Sequence, residues 1–367
     1  MDVTRVALDI GPLAGPRTGI GVAVSSLADE LAADPSVELV PFMTSFRARP
    51  GEGVRRLPYP AAFAHRAWSR TDWPRADRSL GNVDVVHGTN YVVPPSTRPR
   101  LVSVYDCWFL RHPDQASPDV RRAGAVLRRA IGSGAVVHAS SAATATAIRD
   151  MFPSARAHVV HLSATLLPQP PAAPPIAEIA GGGYILAIGT LEKRKNLARL
   201  VEAFGSIASR LPDVRLVLAG GDGDDRPAID RAIDATGAGV APRILLTGYV
   251  DDPTRSWLLH HASVLAYPSL DEGFGFPLLD AMQACVPIVG TRVGSIPEVA
   301  GDAALLADSA TDAEELAELL VVAMTSSETR ARLVEAGARQ LASFSWSDTA
   351  RRMTDLYREL KAEGVGR

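Results

Sequence analysis

The stretch that decides the fold is SVLAYPSLDEGFGFPLLDAMQACVPIVGT, residues 263–291. It opens on SVLAYP (263–268), apolar at nearly every position, as a strand covered on both faces must be. It closes on a second β-branched run, PIVGT (287–291). Between them Pro277 marks the start of a helix over 277–284, because proline in a first helical turn gives up no hydrogen bond. Strand, helix and strand in one short span form a βαβ unit of a parallel sheet.

The same alternation extends outward. YILAIG (184–189), VRLVLAG (214–220) and RILLTG (243–248) read as strands, with helices at 196–210, 226–236 and 253–261. Nearer the start, RVALDI (5–10), VELVPFM (37–43), VDVVHG (83–88), LVSVYD (101–106) and AVVHAS (135–140) are strand-like, with helical segments at 21–34 and 119–131. LLPQPPAAPPIAEIAGGG (166–183) interrupts this with five prolines and three consecutive glycines, which no helix or central strand tolerates. The chain is therefore expected to be α/β, with two Rossmann-like doubly wound domains at 1–165 and 184–345 joined by a linker at 166–183. A last helix follows at 346–367, and Gly181–Gly183 would permit a hinge. Two such domains would face each other across a cleft, with the chemistry in loops at the carboxyl ends of their strands.

Of 367 residues, 47% are hydrophobic and 22% charged, the balance of a soluble globular chain, and the net charge of −3 offers nucleic acid no general attraction. The charge is uneven: residues 1–165 carry 19 Arg and no Lys against 14 acids, a net +5, which leaves −8 for the remainder. Anionic or membrane-associated partners would meet the basic first half. Eight arginines with Trp68 and Trp73 fall in residues 47–78, a surface that would hold an anionic glycolipid or stack on a saccharide. Cys107 and Cys285 are too few for a disulfide framework or a zinc site, so a reducing, cytoplasmic setting is expected. The chain enters its first strand without a leader and has no run of 18 apolar residues, so neither export nor a membrane span is expected.

Two loops carry the strongest chemical signals. In DEGFGFPLLD (271–280), Glu272 and Asp280 flank a turn whose helix would offer the N–H groups of residues 276–279 to an anion. Carboxylates to read hydroxyls and N–H groups to meet phosphate are what a sugar nucleotide requires. In GTLEKRKNLARL (189–200), Lys193 and Lys195 are two of only three lysines in a chain with 35 arginines, and with Arg194 they would neutralise a diphosphate. Asn196 would cap the following helix. A third loop, GPLAGPRTGIG (11–21), is glycine-rich without the G-x-G-x-x-G spacing. His87, Tyr105 and Asp106 lie at strand ends of the first domain.

Together these motifs resemble the retaining glycosyltransferases of the GT-B fold, family 4. EGFGFPLLDAM followed by VPIVGTRVGSIPEVAGDAALLAD (286–308) is similar to that family's donor-site signature. GTLEKRKNLARLVEAF, RTGIGVAV, DVVHGTNYVVPP and YDCWFLRHPD match in order along nearly the whole chain. The resemblance implies that Arg194 and Lys195 bind the donor diphosphate, Glu272 contacts the transferred sugar and Asp280 holds the ribose. Gly189, Thr190, Phe274, Gly275, Phe276 and Pro277 would line the donor site, with Gly19 and Gly21 facing the pyrophosphate. Asp106 would stand with the catalytic groups, Tyr105 and His87 on the acceptor side, and the last helix would return to the first domain. It further implies a nucleotide-sugar donor, a saccharide or glycolipid acceptor, peripheral contact with the inner membrane face through the first domain, and no metal or other cofactor.

The chain departs from the family in two places. The second acid of the E-x7-E pair is Asp280, one methylene short, and the usual His-Asp pair reads Tyr105-Asp106. A phenol with an ordinary pKa of about 10 is no base at neutral pH, so a front-face reaction in which the leaving phosphate takes the acceptor proton is expected. The form of the basic loop resembles users of GDP-mannose, with UDP-glucose the alternative donor. A hexose-2-epimerase or a non-catalytic sugar-nucleotide binder of the same fold is the alternative to transfer.

Overall fold

The computed structural model describes residues 3–15, 18–44, 51–179 and 183–365. Residues 47–50 of the arginine-rich stretch, Arg17 of RTGIG, and Gly181 and Gly182 of the expected hinge lie outside the described residues. The chain divides into two compact units, Met1–Ser163 with Phe344–Arg367, and Ala164–Ser343.

Among the described residues of the first unit, seven strands form one parallel sheet: β1 (Thr4–Asp9), β2 (Val37–Thr44), β3 (Arg55–Leu57), β4 (Val85–Gly88), β5 (Arg100–Val104), β6 (Val136–Ala139) and β7 (Ala157–Val159). Their order is β3-β2-β1-β4-β5-β6-β7. The second unit holds β8 (Tyr184–Ile188), β9 (Arg215–Ala219), β10 (Ile244–Gly248), β11 (Val264–Tyr267), β12 (Ile288–Thr291) and β13 (Ala304–Ala307), ordered β10-β9-β8-β11-β12-β13. Each sheet reverses direction at one point, between β1 and β4 and between β8 and β11, and the loops leaving these strands are where such sheets bind ligands. β3, β7 and β13 were not expected. All three are edge strands, and RRL and AHV carry too little apolar alternation to be read as strands.

Period-two alternation assigns the faces of the first sheet. Ala7, Val86, Val102 and Val137 pack with Trp68, Leu80, Leu127 and Ile148. Their neighbours Val6, Val85, Leu101 and Val136 pack with Leu27, Leu31, Met353, Leu356, Tyr357 and Leu360. The last four lie on the helix Trp346–Val365, where apolar residues three and four apart make one buried stripe. The end of the sequence thus completes the core of the beginning. In the second unit Ile185, Ala187, Leu216, Leu218, Val264, Ala266 and Val289 pack under the helices Leu197–Ile207 and Ala313–Thr325.

The stretch expected as a linker is fastened at its start. Leu167 N–H donates to the Gln283 side chain at 3.1 Å, Gln283 donates to Thr165 O at 2.9 Å, and Ser256 donates to Pro168 O at 2.5 Å.

A buried polar chain crosses the first sheet. His138 Nε2 donates to Val160 O at 3.0 Å, so a neutral ring leaves Nδ1 to accept from Ser103 Oγ at 2.8 Å. Ser103 then accepts from His87 Nε2 at 2.8 Å, and His87 Nδ1 accepts from the Tyr357 hydroxyl at 2.8 Å. Burial holds both imidazoles below their usual range, His138 at about 4, so both are neutral. His87 is therefore a core residue that ties the last helix to the sheet, and not the acceptor-side group expected. Replacing Tyr357 by Phe leaves His87 Nδ1 unpaired in the core and should cost about 1–3 kcal/mol in urea denaturation; an unmoved midpoint would show that the chain contributes nothing to stability.

Candidate functional site

The second unit's site forms where β8 and β11 end at the switch point. After β8 the chain turns at Gly189, whose carbonyl lies so close to Gly220 that a Cβ there would stand 1.9 Å from it. A short turn, Lys193–Lys195, follows, and then Asn196 in the left-handed region at φ 55°. Asn196 precedes the helix but does not cap it through its side chain. Its Nδ2 instead donates to Pro268 O at 3.1 Å and Ala310 O at 2.8 Å, while Leu270 N–H donates to Arg194 O at 2.8 Å. These bonds lock the loop after β8 against the loops after β11 and β13.

The lock aims Arg194 and Lys195 at Glu272. Arg194 Nη1 lies 2.7 Å from Oε2 and Lys195 Nζ 2.6 Å from Oε1, and Ser269 Oγ donates to Oε1 at 2.8 Å. Lys195 also donates to the Tyr267 hydroxyl at 3.1 Å, with Nζ 4.7 Å from the ring centre. From behind, Gly294 backs the Glu272 main chain closely: a Cβ there would stand 2.4 Å from Glu272 O. Burial alone would raise the Glu272 carboxyl, but Lys195 and Arg194, with hydrogen bonds from Lys195 and Ser269, outweigh it and bring it down to about 2. Burial draws the Lys195 ammonium below its usual range despite Glu272, and burial pushes the Tyr267 phenol up. A carboxylate has about four lone-pair sites, so Glu272 retains acceptor capacity for hydroxyls.

The helix after this loop runs Phe276–Gln283, one residue earlier than expected. Its N-terminus offers fewer N–H groups than expected, since Pro277 has none and Leu278 N–H donates to Gly275 O at 3.0 Å. Gly275 takes the left-handed region at φ 102°, Phe274 is buried with its carbonyl accepting from Ser295 Oγ at 2.9 Å, and the rings of Phe274 and Phe276 meet edge to face at 5.4 Å. Thr190 is exposed. Asp280 lies beyond the first turn of this helix, is buried, and accepts from Arg255 of the helix Asp252–His261. Burial pushes its carboxyl up to about 6 against the pull of Arg255.

In the first unit, Tyr105 and Asp106 follow β5. Asp106 accepts from Trp108 N–H at 3.1 Å and from the Tyr91 hydroxyl at 3.3 Å, and the Tyr91 and Tyr105 rings meet edge to face at 6.0 Å. Burial raises the Tyr105 phenol further, which removes it as a base. Gly19 and Gly21 open the helix Gly19–Ala33 in place of the expected turn, with Gly21 N–H donating to the Thr18 hydroxyl at 3.2 Å. Sequence reasoning missed Tyr267, Ser269 and Arg255, and in the first unit Asp9, which ends β1 and which burial pushes up to about 6. Asp9, Tyr267 and Ser269 share a signal of position, lying at or just past a strand at a switch point, whereas Arg255 on the helix Asp252–His261 has none. Trp68, expected at the surface, is buried and donates to Pro74 O at 2.9 Å. Among the described residues no group of three or more His, Cys, Asp or Glu is placed to hold a metal, and no helix is long and apolar enough to cross a membrane.

Residues 174–340 match the family model described as glycosyl transferases group 1. O-antigen chain mannosyltransferase B of Escherichia coli is 29% identical over 290 residues, 75% of this chain and 74% of that protein. D-inositol 3-phosphate glycosyltransferase of Corynebacterium urealyticum is 28% identical over 181 residues, 47% of this chain and 42% of that protein. Sucrose-phosphate synthase from Thermosynechococcus elongatus is similar in structure, with a TM-score of 0.74 over 98% of this chain and 100% of that one at 17% identity. The fold is GT-B. The match over residues 174–340 and the mannosyltransferase relative support a glycosyltransferase.

The two acids make opposite predictions. Glu272→Gln leaves Lys195 without its counter-charge and should lower stability by about 3 kcal/mol at pH 7. The Glu272 carboxyl titrates lower in the fold than its ordinary 4.5, so its stabilisation is complete above that pH and disappears as pH falls toward about 2. The Gln variant should lack that slope in urea denaturation, and an identical slope would remove Glu272 as its source. Asp280 titrates higher in the fold than free. Asp280→Asn should therefore raise stability at pH 7 by on the order of 1–2 kcal/mol, an advantage that shrinks as pH falls below about 6 and wild type takes up its proton. A less stable Asn variant at pH 7 would contradict this.

Proposed function

We propose that the protein transfers a hexose from a nucleotide diphosphate sugar to a saccharide or glycolipid acceptor with retention of configuration, the donor being GDP-mannose. The observation that carries this reading is the convergence of Arg194 and Lys195 on Glu272 at the β8/β11 switch point. Two cations held in place beside a carboxylate suit a reaction in which charge develops on a departing diphosphate while a sugar is held by its hydroxyls. The bond from the anomeric carbon to the diphosphate oxygen breaks, and a bond from the same face to the acceptor oxygen forms. The acceptor proton passes to the leaving phosphate, which needs no base from Tyr105. Lys195 and Arg194 stabilise the nucleoside diphosphate, Glu272 holds sugar hydroxyls and Asp280 the ribose. Side chains supply all the positive charge, so no metal or other cofactor is required.

The choice of mannose is supported by the mannosyltransferase relative and by the form of the basic loop. A glycolipid acceptor at the inner membrane face is supported by the exposed Phe63, Arg66, Arg70 and Trp73 of the first unit, apolar and basic together as binding to an anionic surface requires.

Calorimetric titration against GDP, UDP, ADP and their hexose conjugates, without added metal, tests the donor. Binding of GDP and GDP-mannose alone supports the reading, UDP binding replaces the donor, and no binding overturns transfer. Lys195→Ala should lower turnover roughly 10²-fold or more with the fold intact; an unchanged rate removes the basic loop from the mechanism.

A further inference from the structure

Asp280 is 5% exposed, yet among the described residues only one of its oxygens is partnered: Oδ2 accepts from Arg255 Nη1, and Oδ1 takes no hydrogen bond. Arg255 is held from its other side by Asp252, Nε to Oδ1 at 3.7 Å, one turn earlier on the same helix. A guanidinium is planar, with its donors in a fixed fork, so its hydrogen bond to Oδ2 sets the orientation of the carboxylate. A carboxylate gripped through one oxygen has the other aimed in a fixed direction. Oδ1 therefore stays open to solvent, where a ligand hydroxyl can reach it.

We propose that Arg255 is a positioning residue for the nucleotide: by holding Oδ2 it aims Oδ1 of Asp280 at a ribose hydroxyl and makes up for the missing methylene. This rests on the nucleotide-sugar reading above. The raised Asp280 carboxyl agrees with a pair arranged for a ligand at some cost to the fold.

The test is titration of the full chain, as wild type, Arg255→Lys and Arg255→Ala, with GDP and 2′,3′-dideoxy-GDP, or with the uridine pair if wild type takes UDP. Wild type should prefer the nucleotide with intact hydroxyls roughly tenfold or more, the scale of a hydrogen bond to a charged group. Arg255→Ala should bind the dideoxy form as wild type does and lose most of the preference, while Lys, with charge but no fork, keeps part of it. Equal weakening of both nucleotides, with their ratio intact, marks a merely structural Arg255 and overturns the proposal, as does an Ala variant indistinguishable from wild type. If Ala fails to fold, the ratio in Arg255→Gln decides in its place. Wild type that binds both forms equally removes the ribose role alone, whereas wild type that binds no nucleotide removes the donor reading and this one with it.

Discussion

The carboxylate of Glu272 is where the second unit's site is joined. The loops after β8 and β11 would otherwise be separate surface connections, each free to adopt its own turn. Arg194 and Lys195 come from one, Glu272 and Ser269 from the other, and each ionised group is tolerable away from water because another completes it. The surrounding backbone conforms to that requirement. Asn196 takes a left-handed conformation to reach two carbonyls, and Gly294 lies against the Glu272 main chain where no side chain fits. The result is a set of donors and an acceptor held in place by the fold itself.

Glu272 and Asp280 lie eight residues apart in one loop and helix, and their surroundings drive them in opposite directions. Glu272 faces two cations and is a permanent charge across the physiological range. Asp280 faces one, partly shared with Asp252, and titrates near 6. When environments separate the pKa values of neighbouring acids, their tasks differ. Here Glu272 anchors the cations and Asp280 keeps an acceptor in reserve.

The parallel sheets and the location of the site were legible in the sequence because βαβ units require apolar strands, helical spacing and turn residues in strict alternation. The basic loop and the Glu272 loop could be singled out for the same reason, each falling between a readable strand and a readable helix. Pairings across the sequence were not legible. Nothing local to LEKRK announces that its cations end on Glu272, and nothing in DPTRSW announces that Arg255 reaches Asp280. His87 was misread because a histidine at a strand end looks the same whether it faces solvent or a tyrosine 270 residues later. Strand ends in parallel sheets gather residues from distant parts of the chain, and only the fold determines which of them meet.

The helix Trp346–Val365 completes the first unit only after Ala164–Ser343 has been made. During synthesis Val6, Val85, Leu101 and Val136 therefore emerge early with one side of their sheet covered only in part, by Leu27 and Leu31. At about 5–20 residues per second, translating the intervening unit holds that apolar face open for roughly 10–40 s. The second unit, continuous in sequence, has its whole core available before the first unit does. The first half of the chain is thus made first but is the last to have its whole core available.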